Sequence, residues 1–291
     1  MMRVGVVGVG NMGGAMAARL LELGWRVTVR DVLATAEEAL RTAGAGVAAS
    51  PAAVAARSDA VIVAVVDAAQ TEAVLFGADG IASASPRPGC VLLCPTIAPG
   101  DVERFAVRLG GAGIDAIDAP MSGGPLRARA GRMSLMVACA DTVFERHRAL
   151  LETLAWPLHR LGERLGDGAR TKLVNNLLAA VNLAGATEAL ALAERLGLDV
   201  ARTLEVIEHS SGQSWIGSDR MRRLLAGERL PLAHVGLLAK DSRLALEMAR
   251  AVEHAAPLGE AAARRFALAC EQGLAAADDA SLFGLARGGE R

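Results

Sequence analysis

Lys172 stands four residues before Asn176, in the stretch Gly168-Ala-Arg-Thr-Lys172-Leu-Val-Asn175-Asn176, and the apolar run behind it reaches Thr187 with no charged residue and no proline. At about 100° per residue, Lys172, Asn175, Asn176 and Asn182 fall within about 120° of one another, one polar stripe on an apolar cylinder. A lysine stripped of water on such a stripe holds its proton less tightly, and an asparagine one turn on can orient the group that reacts. The pair therefore suits proton transfer. The same spacing fits a lysine that snorkels from a helix start to the surface near Asp167.

Three further groups of residues carry chemistry. Gly8-Val-Gly10-Asn11-Met12-Gly13 lies near the chain start, after the β-rich Arg3 to Val7 and before the helix-forming Ala15 to Leu23. Strand, glycine turn and helix in that order form a dinucleotide fingerprint: Gly8 for the turn, Gly10 for backbone approach to a pyrophosphate, Gly13 for close helix packing. Asp31 closes the next strand, Arg26 to Arg30, where a carboxylate accepts from ribose hydroxyls and repels a 2′-phosphate, which favours NAD. Arg30 beside it is the residue type that NADP enzymes use, and Asp31 could equally cap the helix that follows. Ser122-Gly123-Gly124 offers a hydroxyl and uncovered backbone N–H groups that could cradle a carboxylate, or it is a loop that turns after a strand. Lys240-Asp241 is a charged pair early in an apolar helix, which could also be a surface ion pair.

The elements that must position these groups follow from pattern. Strands are expected at 60–66, 90–94, 114–118 and 134–138, alternating with helices near 34–43, 51–57, 70–76 and 99–109. Such a βα succession implies a doubly wound parallel sheet with ligands at the carboxyl ends of its strands, where Asp67, Thr96 and Ser122 fall. After Gly162 strand-like alternation stops and helices are expected at 200–209, 215–225, 236–253 and 257–273. The fold expected is α/β, an N-terminal Rossmann-type doubly wound sheet over residues 1–162, then an all-α domain over 163–291 that begins with a long interdomain helix buried on most sides.

Composition narrows the function. The 291 residues are 52% hydrophobic, and tyrosine is absent, which removes any tyrosine acid. With 31 basic against 32 acidic residues there is no phosphate-tracking surface, so no nucleic-acid partner is expected. Cys90, Cys94, Cys139 and Cys270 have neither metal-ligand nor disulfide-frame spacing, so no metal is expected and a cytoplasmic location is. Asn175, Asn176, Asn182 and Glu188 would be costly in lipid, so no membrane span is expected. His209, the histidine nearest a plausible site loop, is read as peripheral.

Taken together, the glycine fingerprint, Asp-Ala-Pro-Met-Ser-Gly-Gly at 118–124, Gly-x-x-x-Lys-x-x-Asn-Asn at 168–176 and Lys-Asp at 240–241 resemble, in order and spacing, the β-hydroxyacid dehydrogenase family along essentially the whole chain. That resemblance implies a nicotinamide cofactor, NAD or else NADP, and a small 3-hydroxy acid substrate such as 3-hydroxyisobutyrate or an L-threonate-like sugar acid. It makes Lys172 the general acid/base and Asn176 the orienting residue, with Ser122, Gly123, Gly124, Asn175 and Trp215 on the substrate. Gly8, Gly10, Asn11, Met12, Gly13, Arg30, Asp31, Val66, Asp67, Thr96, Lys240 and Asp241 would serve the cofactor. Cys94-Pro95-Thr96 and Val66-Asp67 depart from the family's usual Asp-Ser-Ser/Thr and Leu-Pro. A semialdehyde-acid reductase using NADPH, or an idle NAD-binding interaction module, are the alternatives. The alanine-rich helices suggest a homodimer or homotetramer.

Overall fold

The computed structural model describes residues 2–228 and 231–288. Contacts divide the chain into two compact units, Met1–Lys172 and Leu173–Arg291.

The first unit alternates strands and helices: β1 (Arg3–Val7), α1 (Asn11–Glu22), β2 (Arg26–Arg30), α2 (Ala34–Thr42), β3 (Gly46–Val47), α3 (Pro51–Ala55), β4 (Ala60–Val63), α4 (Ala68–Phe76), β5 (Cys90–Leu93), α5 (Pro99–Gly111), β6 (Asp115–Asp118), β7 (Met121–Ser122), α6 (Gly124–Arg129), β8 (Met133–Ala138), α7 (Asp141–Leu154) and β9 (Ala155–Gly162). The sheet order is β3-β2-β1-β4-β5-β6-β8-β7, with β9 beside β8. From β3 to β6 every pairing is parallel, and β8 turns antiparallel to β6 and β7. Strand order reverses between β1 and β4, and the crevice at that switch point is where such sheets bind ligands.

The central strands are apolar throughout because both faces are covered. In β4, Ala60 and Ile62 join one hydrophobic cluster with Met16 and Leu20 of α1, whereas Val61 and Val63 join another with Val54, Leu75 and Phe105. The split follows the period of two in side-chain direction. Fully buried Cys90, Cys94 and Cys139 belong to these layers, and burial pushes the thiols of Cys94 and Cys139 up to about 12 and about 11, so they stay protonated and unreactive.

Three features differ from the expectation. Helix α1 starts at Asn11, so Gly13 and Gly14 lie inside it. Helix α7 has a buried stripe of Val143, Phe144, His147, Leu150, Leu151 and Leu154, a helical period not read from the sequence. Strand β9 runs parallel to β8 alone, as an edge carrying Trp156, Pro157 and His159, too polar to look like a core strand.

The chain from 167 onward is helical: α8 (Asp167–Arg195), α9 (Val200–Glu208), α10 (Trp215–Leu225), α11 (Val235–Ala251), α12 (Pro257–Glu271) and α13 (Leu282–Gly288). In the second unit Ala180, Leu183, Leu190, Leu238 and Phe266 build one core. The doubly wound sheet followed by helices is thus the expected architecture. Helix α8 is not buried on most sides. Val174 and Leu178 are each 60% exposed and Leu192 59%, because the chain itself does not cover the face they share. Its length and composition would suffice for a membrane span, yet its inward side carries Lys172 and Asn176.

Candidate active site

In the first unit, residues proposed for the cofactor gather at the carboxyl ends of the parallel strands. Gly8 follows β1 with φ 86°, and a side chain there would strike the Ala64 carbonyl, so only glycine makes the turn. A Cβ on Gly13 would lie 1.9 Å from the Gly8 oxygen, which is how closely α1 approaches the strand. At Gly10 the case is opposite, since a Cβ would meet no protein atom within 4 Å. Gly10 is also the N-cap of α1 and brings no side chain of its own to the start of this helix. The residues present fit a dinucleotide pyrophosphate: glycine where bulk would block approach, and a helix start whose positive dipole end favours an anion. Asn11 and Met12 form the first turn behind it.

Asp31, just past β2, is held at two points. Its Oδ2 accepts from the Val9 amide at 2.7 Å and its Oδ1 from the Leu33 amide at 3.0 Å. The carboxylate therefore ties the glycine turn to the β2–α2 connection, and it is not the N-cap of α2, which is Leu33. Arg30 donates from Nη1 to Glu37 Oε1 at 3.1 Å. The sequence reading missed Glu37, a charged residue in a surface-looking helix that turns out buried.

Past β4, Asp67 caps α4 by accepting from the Gln70 amide at 2.8 Å, while Gln70 Oε1 accepts from the Val66 amide at 3.1 Å. The two bonds fix the loop where the family's usual Leu-Pro is absent, Gln70 reaching back past the N-cap to the residue before it. Thr96 follows β5 and is half-buried. Ser122 pairs with Ser134 across β7 and β8, and Gly123 and Gly124 follow with φ 121° and 76°. Side chains on both would be strained, so this turn keeps its backbone uncovered.

Asp118 closes β6 and is 1% exposed. Its Oδ2 accepts from the amides of Gly166 and Ala169 at 2.9 and 3.1 Å, at the start of α8. Burial pushes its carboxyl up to about 6, against those amides, which pull it down. Gly168 is required there: a Cβ would lie 2.6 Å from the Met136 oxygen and 2.8 Å from Asp118 Cγ. Nothing in the spacing of the motif at 118–124 announced that its aspartate would anchor the helix bearing Lys172.

Lys172 lies one turn and a half into α8 and is 7% exposed, so it does not snorkel. Asn176, also 7% exposed, follows at i+4 on the same face. In the second unit, Asn176 Nδ2 donates to Asp241 Oδ2 at 2.6 Å, Asn175 Nδ2 donates to Asn176 Oδ1 at 3.0 Å, and Lys240 Nζ sits 2.8 Å from Asp241 Oδ1. Lys240-Asp241 is thus no surface pair, since its carboxylate is buried against the asparagine. Trp215 opens α10, half exposed, with the Arg220 guanidinium 5.9 Å from its ring centre. His209 is exposed and its Nδ1 engages its own helix at Glu205 O, consistent with a peripheral place. Among the described residues no group of three or more His, Cys, Asp or Glu is placed to hold a metal ion.

The arrangement offers a dinucleotide cradle, an exposed-backbone turn for an anion and a buried lysine followed by an oriented amide. Comparison with known proteins agrees along the chain. Residues 3–162 match the family model for the NAD-binding domain of 6-phosphogluconate dehydrogenase, and 166–286 match the model described as NAD-binding of NADP-dependent 3-hydroxyisobutyrate dehydrogenase. An L-threonate dehydrogenase of Cupriavidus necator is 37% identical, over 96% of this chain and 94% of that protein. A 2-hydroxy-3-oxopropionate reductase of Escherichia coli is 33% identical over 86% of this chain and 85% of its own length. The crystal structure of a 3-hydroxyisobutyrate dehydrogenase from Salmonella typhimurium superimposes with TM-score 0.91 at 33% identity, covering 98% of this chain and 99% of that one. The chain belongs to the β-hydroxyacid dehydrogenase family, NAD(P)-dependent oxidoreductases that act on the CH–OH group of hydroxy acids.

Proposed function

We propose that this protein is an NAD-linked dehydrogenase of a small 3-hydroxy acid, an L-threonate-like sugar acid first and 3-hydroxyisobutyrate second. The observation that carries this is Lys172, buried on α8 one turn before an asparagine whose amide is anchored by Asp241, in a chain 37% identical to an L-threonate dehydrogenase. Lys172 takes the proton from the substrate hydroxyl oxygen during oxidation and returns it during reduction. Asn176 orients that oxygen, and Ser122, Gly123 and Gly124 bind the carboxylate, with Asn175 and Trp215 as further substrate contacts. When bound, the nicotinamide accepts the hydrogen and electron pair that leave the substrate carbon.

Residues 1–162 form the cofactor domain, which also lends Ser122, Gly123 and Gly124 to the substrate, and 163–291 form the substrate and subunit-association domain, which also lends Lys240 and Asp241 to the cofactor. Gly8, Gly10, Asn11, Met12 and Gly13 hold the pyrophosphate, Asp31 the ribose, and Val66, Asp67, Thr96, Lys240 and Asp241 the remaining length. NAD is favoured because the Asp31 carboxylate repels a 2′-phosphate. The apolar stripe of Val174, Leu178 and Leu192 supports a homodimer or homotetramer. Balanced charge supports a small-molecule partner rather than nucleic acid, and the reading places the enzyme in the cytoplasm.

The 2-hydroxy-3-oxopropionate reductase relative favours one second reading, reduction of a small semialdehyde acid with NADPH by the same residues. The experiment is a panel of L-threonate, 3-hydroxyisobutyrate and tartronate semialdehyde with NAD(H) and NADP(H). NADH formation from a 3-hydroxy acid supports the first reading, and faster consumption of NADPH with the semialdehyde supports the second. Tight NAD binding with no turnover would leave an idle binding module.

A further inference from the structure

Beside the glycine turn, Arg30 is the residue a 2′-phosphate would seek, because accommodating that dianion next to Asp31 requires a cation. The Arg30 side chain is 31% exposed, so it could reach such a group if it were released. It is held instead by Glu37, whose Oε1 accepts from Arg30 Nη1 at 3.1 Å and from the Asp31 amide at 2.7 Å. The Glu37 side chain is only 10% exposed, which strengthens the pair relative to one in open solvent. One carboxylate oxygen therefore does two things. It neutralises the arginine, and it fixes the backbone of the aspartate whose own carboxylate spans Val9 and Leu33.

We propose that Glu37 is a specificity-determining residue that selects NAD by withholding Arg30 from the adenosine 2′-phosphate. It acts through Arg30 and Asp31 and is a positioning residue. The inference rests on the reading of Asp31 as the ribose ligand. In chemical terms, the 2′-phosphate meets two carboxylates and an arginine already paired, so NADP pays repulsion with no compensating cation. Glutamine at position 37 keeps an oxygen for the Asp31 amide and loses the charge that holds Arg30.

The test is calorimetric titration of the purified protein with NAD and with NADP, without substrate. For Glu37→Gln, the ratio of the NADP to the NAD dissociation constant falls tenfold or more, and Glu37→Gln with Arg30→Gln loses that gain. A ratio unchanged in Glu37→Gln, or a gain that persists once Arg30 is removed, overturns the proposal. Should Glu37→Gln prove insoluble, Glu37→Asp draws the carboxylate back by one methylene, and a smaller gain that again depends on Arg30 is expected; no gain overturns the assignment here too. Failure of the wild-type protein to bind either nucleotide would instead remove the reading on which the inference rests.

Discussion

Asn176 Nδ2 donates to Asp241 Oδ2 at 2.6 Å, and this contact decides which way the asparagine amide points. A carboxylate only accepts, so the amide nitrogen must face Asp241 and its oxygen turns to Asn175. Asp241→Ala frees that amide and removes the ion pair to Lys240. Loss of one charge-assisted bond, about 1.5–3 kcal/mol, lowers kcat between about tenfold and a hundredfold. Asp241→Asn retains an acceptor and loses less. Steady-state kinetics on the three proteins checks the order, and wild-type turnover in Asp241→Ala would show that the amide needs no anchor.

Two glycines of one motif respond oppositely to alanine. Gly10→Ala meets no protein atom, so its melting temperature stays near wild type while its methyl group intrudes where the pyrophosphate lies, raising the NAD dissociation constant about tenfold, or about 1.4 kcal/mol. Gly13→Ala drives a Cβ to 1.9 Å from a backbone oxygen and destabilises the protein by about 1–3 kcal/mol, as overpacking does. Thermal melts with and without NAD distinguish them. Equal melting losses in both would contradict the division of roles.

The glycine motif was legible because each of its constraints is local: a turn, a close helix and an uncovered backbone, all within a few residues. So were the central strands, whose unbroken apolar runs reflect cover on both faces. Glu37 and Asp118 were not legible: Glu37 reaches back from a helix to a strand end six and seven residues earlier, Asp118 reaches 48 and 51 residues on, and a carboxylate in a helix or at a strand end looks like ordinary surface. Strand β9 escaped because an edge with one neighbour keeps polar residues. Burial of Lys172 removed the snorkelling stem that periodicity had left open.

Asp118 gives a signature in pH. Its folded pKa of about 6 lies above the unfolded value, so its contribution to stability is fully present below about pH 4 and is lost as pH rises through 6. At about 1.4 kcal/mol per pKa unit the change amounts to at most about 3 kcal/mol. Asp118→Asn does not titrate. Urea unfolding of both proteins between about pH 4 and pH 7 should show the wild type losing ground to the variant as pH rises. A difference constant with pH would mean the buried carboxyl titrates near its ordinary value.

The exposed stripe on α8 bears on assembly. Leu178, 60% exposed in the single chain, becomes buried if copies associate through this face. Leu178→Glu then places a charge in the interface, and light scattering after gel filtration should report a smaller particle than the wild type. An unchanged mass would move the interface elsewhere.

The central claim is that Lys172 is the proton-transfer group of an NAD-linked hydroxy acid dehydrogenase. The direct measurement is NADH formation from NAD and L-threonate by the wild type and by Lys172→Ala, with NAD affinity measured in parallel. Expected are NADH formation by the wild type, a loss of about a hundredfold or more in the variant, and unchanged NAD affinity. Turnover by Lys172→Ala equal to the wild type would contradict the claim.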